Sequence, residues 1–303
     1  MDYLIEEKFE LGPLVTFVPN KKYPVYNWFH FKEGFSRDFV MMIFDQFKLR
    51  EGDWVLDPFC GSGTTLLASK ERGINSVGVD IMPLAVFLSQ VKTMDYDLGY
   101  LKNIAQDIFS KRFIKPQIEG LSPLVRRAFT RYALEDIIFF KHVISEIKDV
   151  YAKNFFTLAL MIAADKVSMA YKDGAVIKFK KRKNLPPLRP VFKRVVKKML
   201  HDLKTLQTKK SIIKVYNADA RRLDFLEDGT FNAVITSPPY LNIIDYIKVY
   251  SIENELFFNQ TKFNVQGLRS YIGIDVEKDY SEFNYLDVPP IGKAYFRDMK
   301  DVL

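Results

Sequence analysis

One cysteine, Cys60, in 303 residues excludes a disulfide framework and any zinc site built from several thiolates. A lone thiol fits a reducing compartment, and a cytoplasmic protein is the expectation. The three histidines, His30, His142 and His201, lie too far apart for metal-ligand spacing, so no metal site is expected. Long apolar runs are also missing. The best candidate, Phe155 to Ala164, stops at Asp165 and Lys166, well short of the roughly 20 residues a membrane span needs. The acidic start, Met1 to Glu7, does not read as a signal peptide. There is no internal repeat, and a chain that is 48% hydrophobic and 27% charged is neither disordered nor fibrous.

What is abundant is positive charge, and it is concentrated. The net charge is +8. Between Lys172 and Lys204 there are twelve Lys or Arg against only Asp173 and Asp202, so this block carries the whole excess. Its densest run is Lys178, Lys180, Lys181, Arg182 and Lys183, followed by Arg189, Lys193, Arg194, Lys197 and Lys198. Such clustering is the electrostatic footprint of a polyanion binder, and equally what a solvated lysine-rich helix looks like.

Apolar periodicity organises the rest. Ser36 reads as an N-cap for a helix with Phe39, Val40, Ile43, Phe44 and Phe47 at helical spacing. Trp54-Val55-Leu56 reads as a buried strand, then a glycine turn and a helix from Thr64 to Arg72. Ser76 to Val79 reads as a second strand ending at Asp80, before a helix opened by Pro83. Strand, glycine loop, helix, strand, acid is how a doubly wound α/β sheet begins. From about Leu98 to Lys204 the pattern turns helical, with the prolines Pro186, Pro187 and Pro190 marking an exposed loop that feeds a basic helix. Strands return at Ile212 to Tyr216 and Phe231 to Thr236, and a last helix starts near Tyr295. The division expected is a first half over 20–97, a helical basic insert over 98–205 and a second half over 206–303.

Three stretches carry chemistry. In Asp57-Pro58-Phe59-Cys60-Gly61-Ser62-Gly63-Thr64, a glycine turn between strand and helix lets backbone approach a ligand closely, and the helix N-terminus favours an anionic group. No Gly-Lys-Ser/Thr follows, so it is not a P-loop, and Leu66 breaks the dinucleotide pattern. Asp80, at the next strand end, can hydrogen-bond a ribose diol or cap the following helix. Asp219 stands in the same way after the third strand. In Ser237-Pro238-Pro239-Tyr240, two prolines fix the backbone and remove two donors. That leaves carbonyl acceptors and a hydroxyl for a planar amino group, beside an aromatic face on which a base can stack.

Together these stretches resemble the S-adenosylmethionine-dependent DNA amino-methyltransferases of N4-cytosine and N6-adenine, in the Ser-Pro-Pro-Tyr form typical of the cytosine branch. The match covers about residues 20–95 and 210–260. The resemblance implies a Rossmann-like sheet with an inserted helical subdomain. It implies that Asp57, Phe59, Gly61, Gly63 and Thr64 cradle the methionine part of the cofactor, that Asp80 takes the ribose and that Asp219 lies near the adenine. Ser36 is expected near the cofactor carboxylate, within a segment, Tyr23 to Ser36, that covers it. Ser237, Pro238, Pro239 and Tyr240 would hold and stack the target base, flipped out of duplex DNA. Lys178, Lys180, Lys181, Arg182 and Lys183 would contact DNA. Cys60 would be a spacer.

The family sheet has about seven strands and only four are legible. The expectation is therefore a C-terminally incomplete sheet, either a fragment or one completed by a second polypeptide. A cognate restriction endonuclease is a further expected partner. Three other readings fit the same motifs: N6-adenine specificity, an RNA guanine-N2 methyltransferase, and a non-catalytic nucleic-acid-binding subunit.

Overall fold

The computed structural model describes residues 7–174, 176–180, 184–240, 246–258, 281–283 and 287–302. The chain folds into two compact units. One comprises residues 1–93, 205–218 and 224–237; the other comprises 94–204, 219–223 and 238–303.

The first unit begins with short 3-10 turns and then α1 (Arg37–Gln46), β1 (Trp54–Asp57), α2 (Thr64–Arg72), β2 (Asn75–Asp80) and α3 (Pro83–Thr93). The second unit interrupts it with α4 (Leu98–Ser110), α5 (Pro123–Ala128), α6 (Arg131–Ser145), α7 (Val150–Lys166), β3 (Ala170–Asp173), β4 (Val176–Phe179) and α8 (Leu188–Thr205). The chain returns to the first unit through β5 (Ile213–Asn217) and β6 (Ala233–Val234). It ends in α9 (Tyr246–Val249), α10 (Ser251–Phe258) and α11 (Pro290–Val302).

All four expected strands form one parallel sheet, in the order β5-β2-β1-β6. The last is shorter than its apolar run: Phe231 to Thr236 supplies only Ala233–Val234 to the ladder. Ile235 extends it by one bond, its N–H donating to the Leu56 carbonyl at 2.9 Å. Parallel strands are covered on their faces, so β1 and β2 are apolar and buried along most of their length. Val40 and Phe44 of α1, Val55 of β1, Ala68 of α2, Ile74 and Ile235 form one core cluster. Ser36 caps α1 as its sequence indicates, Oγ accepting from the Phe39 N–H at 3.1 Å.

The second unit is built on aromatic packing. Phe140 of α6 and Phe192 of α8 stack edge-on at 5.1 Å, and Phe109 of α4 meets Phe192 at the same distance. The helical reading of 98–205 misses one feature here. Ala170–Asp173 and Val176–Phe179 form an antiparallel hairpin in which Tyr171 pairs with Lys178 and Lys172 with Ile177. Two residues link the strands, beginning with Gly174 at φ 56°, the backbone a two-residue hairpin turn demands. Exposure alternates along Val176–Phe179, but the residue types do not, so the strand has no clean period in the sequence. A second difference lies at the C-terminal end. Residues 238–303 group with the helical insert and not with the sheet, because α10 buries Ile252 and Leu256 in the unit that also contains α5 and α7.

Candidate active site

The carboxyl ends of β1, β2 and β6 converge. From β1 the chain moves through α2 to β2 on one side, while β6 pairs with β1 on the other. That reversal is the switch point where open α/β sheets form their ligand crevice. Asp57 closes β1 and Asp80 closes β2. Thr236 and Ser237 follow β6 at the same edge.

Asp57 is 1% exposed. Its Oδ2 accepts from the Thr65 hydroxyl at 2.6 Å and its Oδ1 from the Phe59 N–H at 3.2 Å. Asp80 is half-buried and ties the glycine loop down. Its Oδ2 accepts from the Gly61 N–H at 2.9 Å and its Oδ1 from the Met82 N–H at 2.8 Å. Ser89 of α3 completes the clamp by donating to the Gly61 carbonyl at 2.9 Å. Desolvation pushes both carboxyls up to about 6 from the usual 3.8; the Thr65 hydroxyl opposes this at Asp57, and backbone N–H groups oppose it at Asp80.

Gly63 precedes α2 at φ 78°, and a Cβ there would stand 2.8 Å from the Ser89 hydroxyl and 2.9 Å from its Cα. Both the backbone angle and the space require glycine. Gly78, opposite Asp57 in β2, would press a Cβ to 2.6 Å from Leu66 and 3.0 Å from Cys60. Cys60 is a packed spacer: it is buried, and desolvation raises its thiol well above the ordinary range.

The N-terminal segment reaches this loop. The Phe31 ring lies 3.2 Å from where a Gly61 side chain would start. Asn20, fully buried, bonds the Phe35 carbonyl and the Arg37 N–H at 3.0 and 2.8 Å. Arg37 grips Glu71 of α2 with two bonds of 2.8 Å. Val25, fully buried, takes φ 67° while the Tyr26 N–H closes a three-residue turn to the Pro24 carbonyl at 2.8 Å. For a β-branched residue that is a strained conformation. Asn20, Glu71 and Ser89 were invisible in the sequence, because their partners lie 15 or more positions away and no local spacing marks them.

Residues 40–90 match the family of N6 and N4 DNA methylases. This segment is similar to the N6 and N4 DNA methylases. It holds Asp57, the glycine loop, Asp80 and Ser89, the set whose geometry is given above. Over 300 residues the chain is 31% identical to the Type II methyltransferase M.BsoBI of Geobacillus stearothermophilus, across 88% of this chain and 56% of that protein. Over 272 residues it is 25% identical to the Type II methyltransferase M.AvaI of Nostoc sp., across 79% of this chain and 55% of that protein. A 60-residue stretch, 20% of this chain and 11% of the relative, is 48% identical to the Type II methyltransferase M.MjaII of Methanocaldococcus jannaschii. The chain spans about half the length of M.BsoBI and M.AvaI. No solved structure matches.

DNA methylases of this family use S-adenosylmethionine, and the edge suits it. Two desolvated carboxylates disfavour their own charge, which a cationic, hydroxyl-bearing ligand would relieve. At Gly61 and Gly63 the turn itself carries no side chain. Among the described residues no cluster of three or more His, Cys, Asp or Glu can hold a metal, and no helix is long and apolar enough to cross a membrane.

Several expected site residues have other duties. The Ser36 side chain is fully buried and serves as the cap of α1, which leaves no exposed hydroxyl for a cofactor carboxylate. Asp219 lies in the second unit, where Arg221 holds it through bonds of 3.0 and 2.6 Å and keeps its carboxyl below the usual range. Arg221 also donates to Asp298 at 3.1 Å. Lys178 sits on the hairpin, bonded to Asp173 at 2.6 Å, and Lys180 is exposed at its end. Lys181, Arg182 and Lys183 lie outside the described residues, as do residues 241–245 directly after Tyr240. Ser237, Pro238 and Pro239 are half-buried and Tyr240 is 44% exposed.

Proposed function

We propose that this chain transfers the methyl group of S-adenosylmethionine to an exocyclic amino group in duplex DNA, at N4 of cytosine, as a Type II methyltransferase. One observation carries the reading. Asp57 ends β1, and the neighbouring β6 is followed within three residues by Ser237, so the polypeptide that begins Ser237-Pro238-Pro239-Tyr240 leaves the sheet at the edge that carries the glycine loop. The cofactor supplies an electrophilic methyl on a sulfonium.

The residues divide the remaining work. Asp57, Phe59, Gly61, Gly63 and Thr64 form the cradle, and Asp80 keeps lone pairs for a ribose diol beyond the two N–H groups it holds. An aromatic amine is a poor nucleophile because its lone pair is delocalised. The Ser237 hydroxyl and the Pro238 carbonyl accept its two N–H bonds and localise that pair. Tyr240 stacks on the base, which must leave the helix to be reached. The serine in the first position of the tetrapeptide favours cytosine over adenine.

Incubation with tritium-labelled S-adenosylmethionine and duplex DNA, followed by digestion to nucleosides, tests the reading. Label in N4-methylcytosine is the expected result. Label in N6-methyladenine would move the specificity, label in RNA alone would move the substrate, and no label would leave a binding subunit.

A further inference from the structure

We infer that the outer face of α8 is the rail that grips the phosphodiester backbone of duplex DNA. The inference rests on DNA being the substrate, and it names residues outside the run at 178–183 that the sequence suggested.

Among the described residues, the basic block divides into cations with partners and cations without. Lys172 pairs with Glu253, Lys178 with Asp173 and Lys198 with Asp202. Arg189 donates to the Phe109 and Lys111 carbonyls and lies 5.0 Å over the Phe140 ring. These four are already engaged within the protein. Lys193, Arg194, Lys197 and Lys204 are exposed on α8, and none has an ion pair or hydrogen bond from its side chain among the described residues.

Their placement is ordered by the opposite face. Val191, Phe192, Val195, Val196 and Met199 are buried, which forces the intervening positions outward in pairs. Lys193, Lys197 and Lys204 fall within about 40° of one another around the axis at 100° per residue, and Arg194 flanks them. The row runs about 16 Å along the helix. One DNA strand presents a phosphate every 3.4 Å or so of its axis, so the row faces several in succession.

Stability does not account for this row. Lys193 and Lys197 repel at i,i+4, and of the four only Lys204 stands in the last turn, where the helix dipole favours a cation. Asp202, the only acid on the helix, is buried against Lys198. A helix that concentrates unpaired cations on one face fits a polyanion that neutralises them.

The test is the salt dependence of binding, read by fluorescence anisotropy on a duplex of about 20 base pairs between about 50 and 200 mM salt without cofactor. Lys193→Gln, Arg194→Gln, Lys197→Gln and Lys204→Gln together should make the log–log slope shallower by about 3–4. A matched control changes Lys102, Arg112, Lys148 and Lys166 to Gln, all exposed in the same unit, and should shift the slope by less than about 1. Equal effects of the two sets, or an unchanged slope in the α8 set, would overturn the proposal. So would tighter α8-dependent binding to phosphatidylserine vesicles than to DNA at the same salt. If the quadruple variant fails to fold by circular dichroism, Lys193→Gln with Lys197→Gln should still shift the slope by about 2. Because no methyl transfer is measured, an intact slope change with no methylated nucleoside sinks the proposed reaction and spares the rail.

Discussion

The carboxyl edge of the sheet and the outer face of the helical unit both gather polar side chains, and they treat them in opposite ways. At the sheet edge Asp57, Thr65 and Ser89 are buried or nearly so, and each is spent on a named bond. On α8 and the hairpin the charges stand in water, some paired across a turn and some not. The first arrangement fixes a shape; the second sets a field. A substitution at the edge should therefore act steeply and locally, and one on the outer face weakly and in proportion to charge.

The sharpest contrast is at Gly63. Alanine there meets both a left-handed backbone and the Ser89 clamp. Each costs about 1–3 kcal/mol, so Gly63→Ala should lose about 3 kcal/mol of stability or more. Cofactor affinity, read by calorimetry, should fall on the order of tenfold or further, since 1.4 kcal/mol is a factor of ten. A variant that melts and binds like the parent would mean the loop is looser than the edge demands.

The second unit has one place that behaves like the first. Glu253 is 7% exposed and pairs with Lys172, whose ammonium also lies 4.5 Å from the Tyr250 ring centroid. Lys172→Met strands a buried carboxylate and should cost about 3–5 kcal/mol by denaturant titration. Adding Glu253→Gln should recover most of it. A single variant as stable as the parent would show that water reaches Glu253.

These two sites also mark what the sequence reveals. The Gly63 turn was legible because its chemistry is local: strand, turn and helix follow one another within 20 residues. So were the four strands and the Ser36 cap. Glu253 and Lys172 meet 81 positions apart, and no periodicity announces such a pair. The hairpin was missed because its exposed positions include Val176, which leaves no clean apolar alternation to read, and Ser36 and Asp219 were assigned to a ligand although nearby backbone and Arg221 already claim them.

The edge carboxylates give a pH signature that surface charges lack. Their folded values near 6 exceed the unfolded value of about 3.9. Between pH 4 and 6 or so the folded state therefore holds more protons, and their contribution to stability falls as pH rises through that window, then stays level. A cationic ligand lowers both values, so binding S-adenosylmethionine near pH 6 should release up to about one proton, and almost none near pH 8. Calorimetry in buffers of different ionisation enthalpy measures this directly. Asp57→Asn should remove its share, and equal proton release at both pH values would mean the two groups are already ionised.

The smallest effect belongs to Lys178. It is bonded to Asp173 across the hairpin, both side chains about half exposed at 54% and 53%. Such pairs contribute little, because solvent screens them and holding two long side chains costs entropy. Lys178→Ala should shift the thermal midpoint by no more than that implies. It should also leave the DNA salt slope within about half a unit of the parent, since Asp173 already neutralises the charge. A full unit of slope lost at Lys178 would show that the pair opens to meet a phosphate, and the hairpin would then join α8 in the field that the outer face presents.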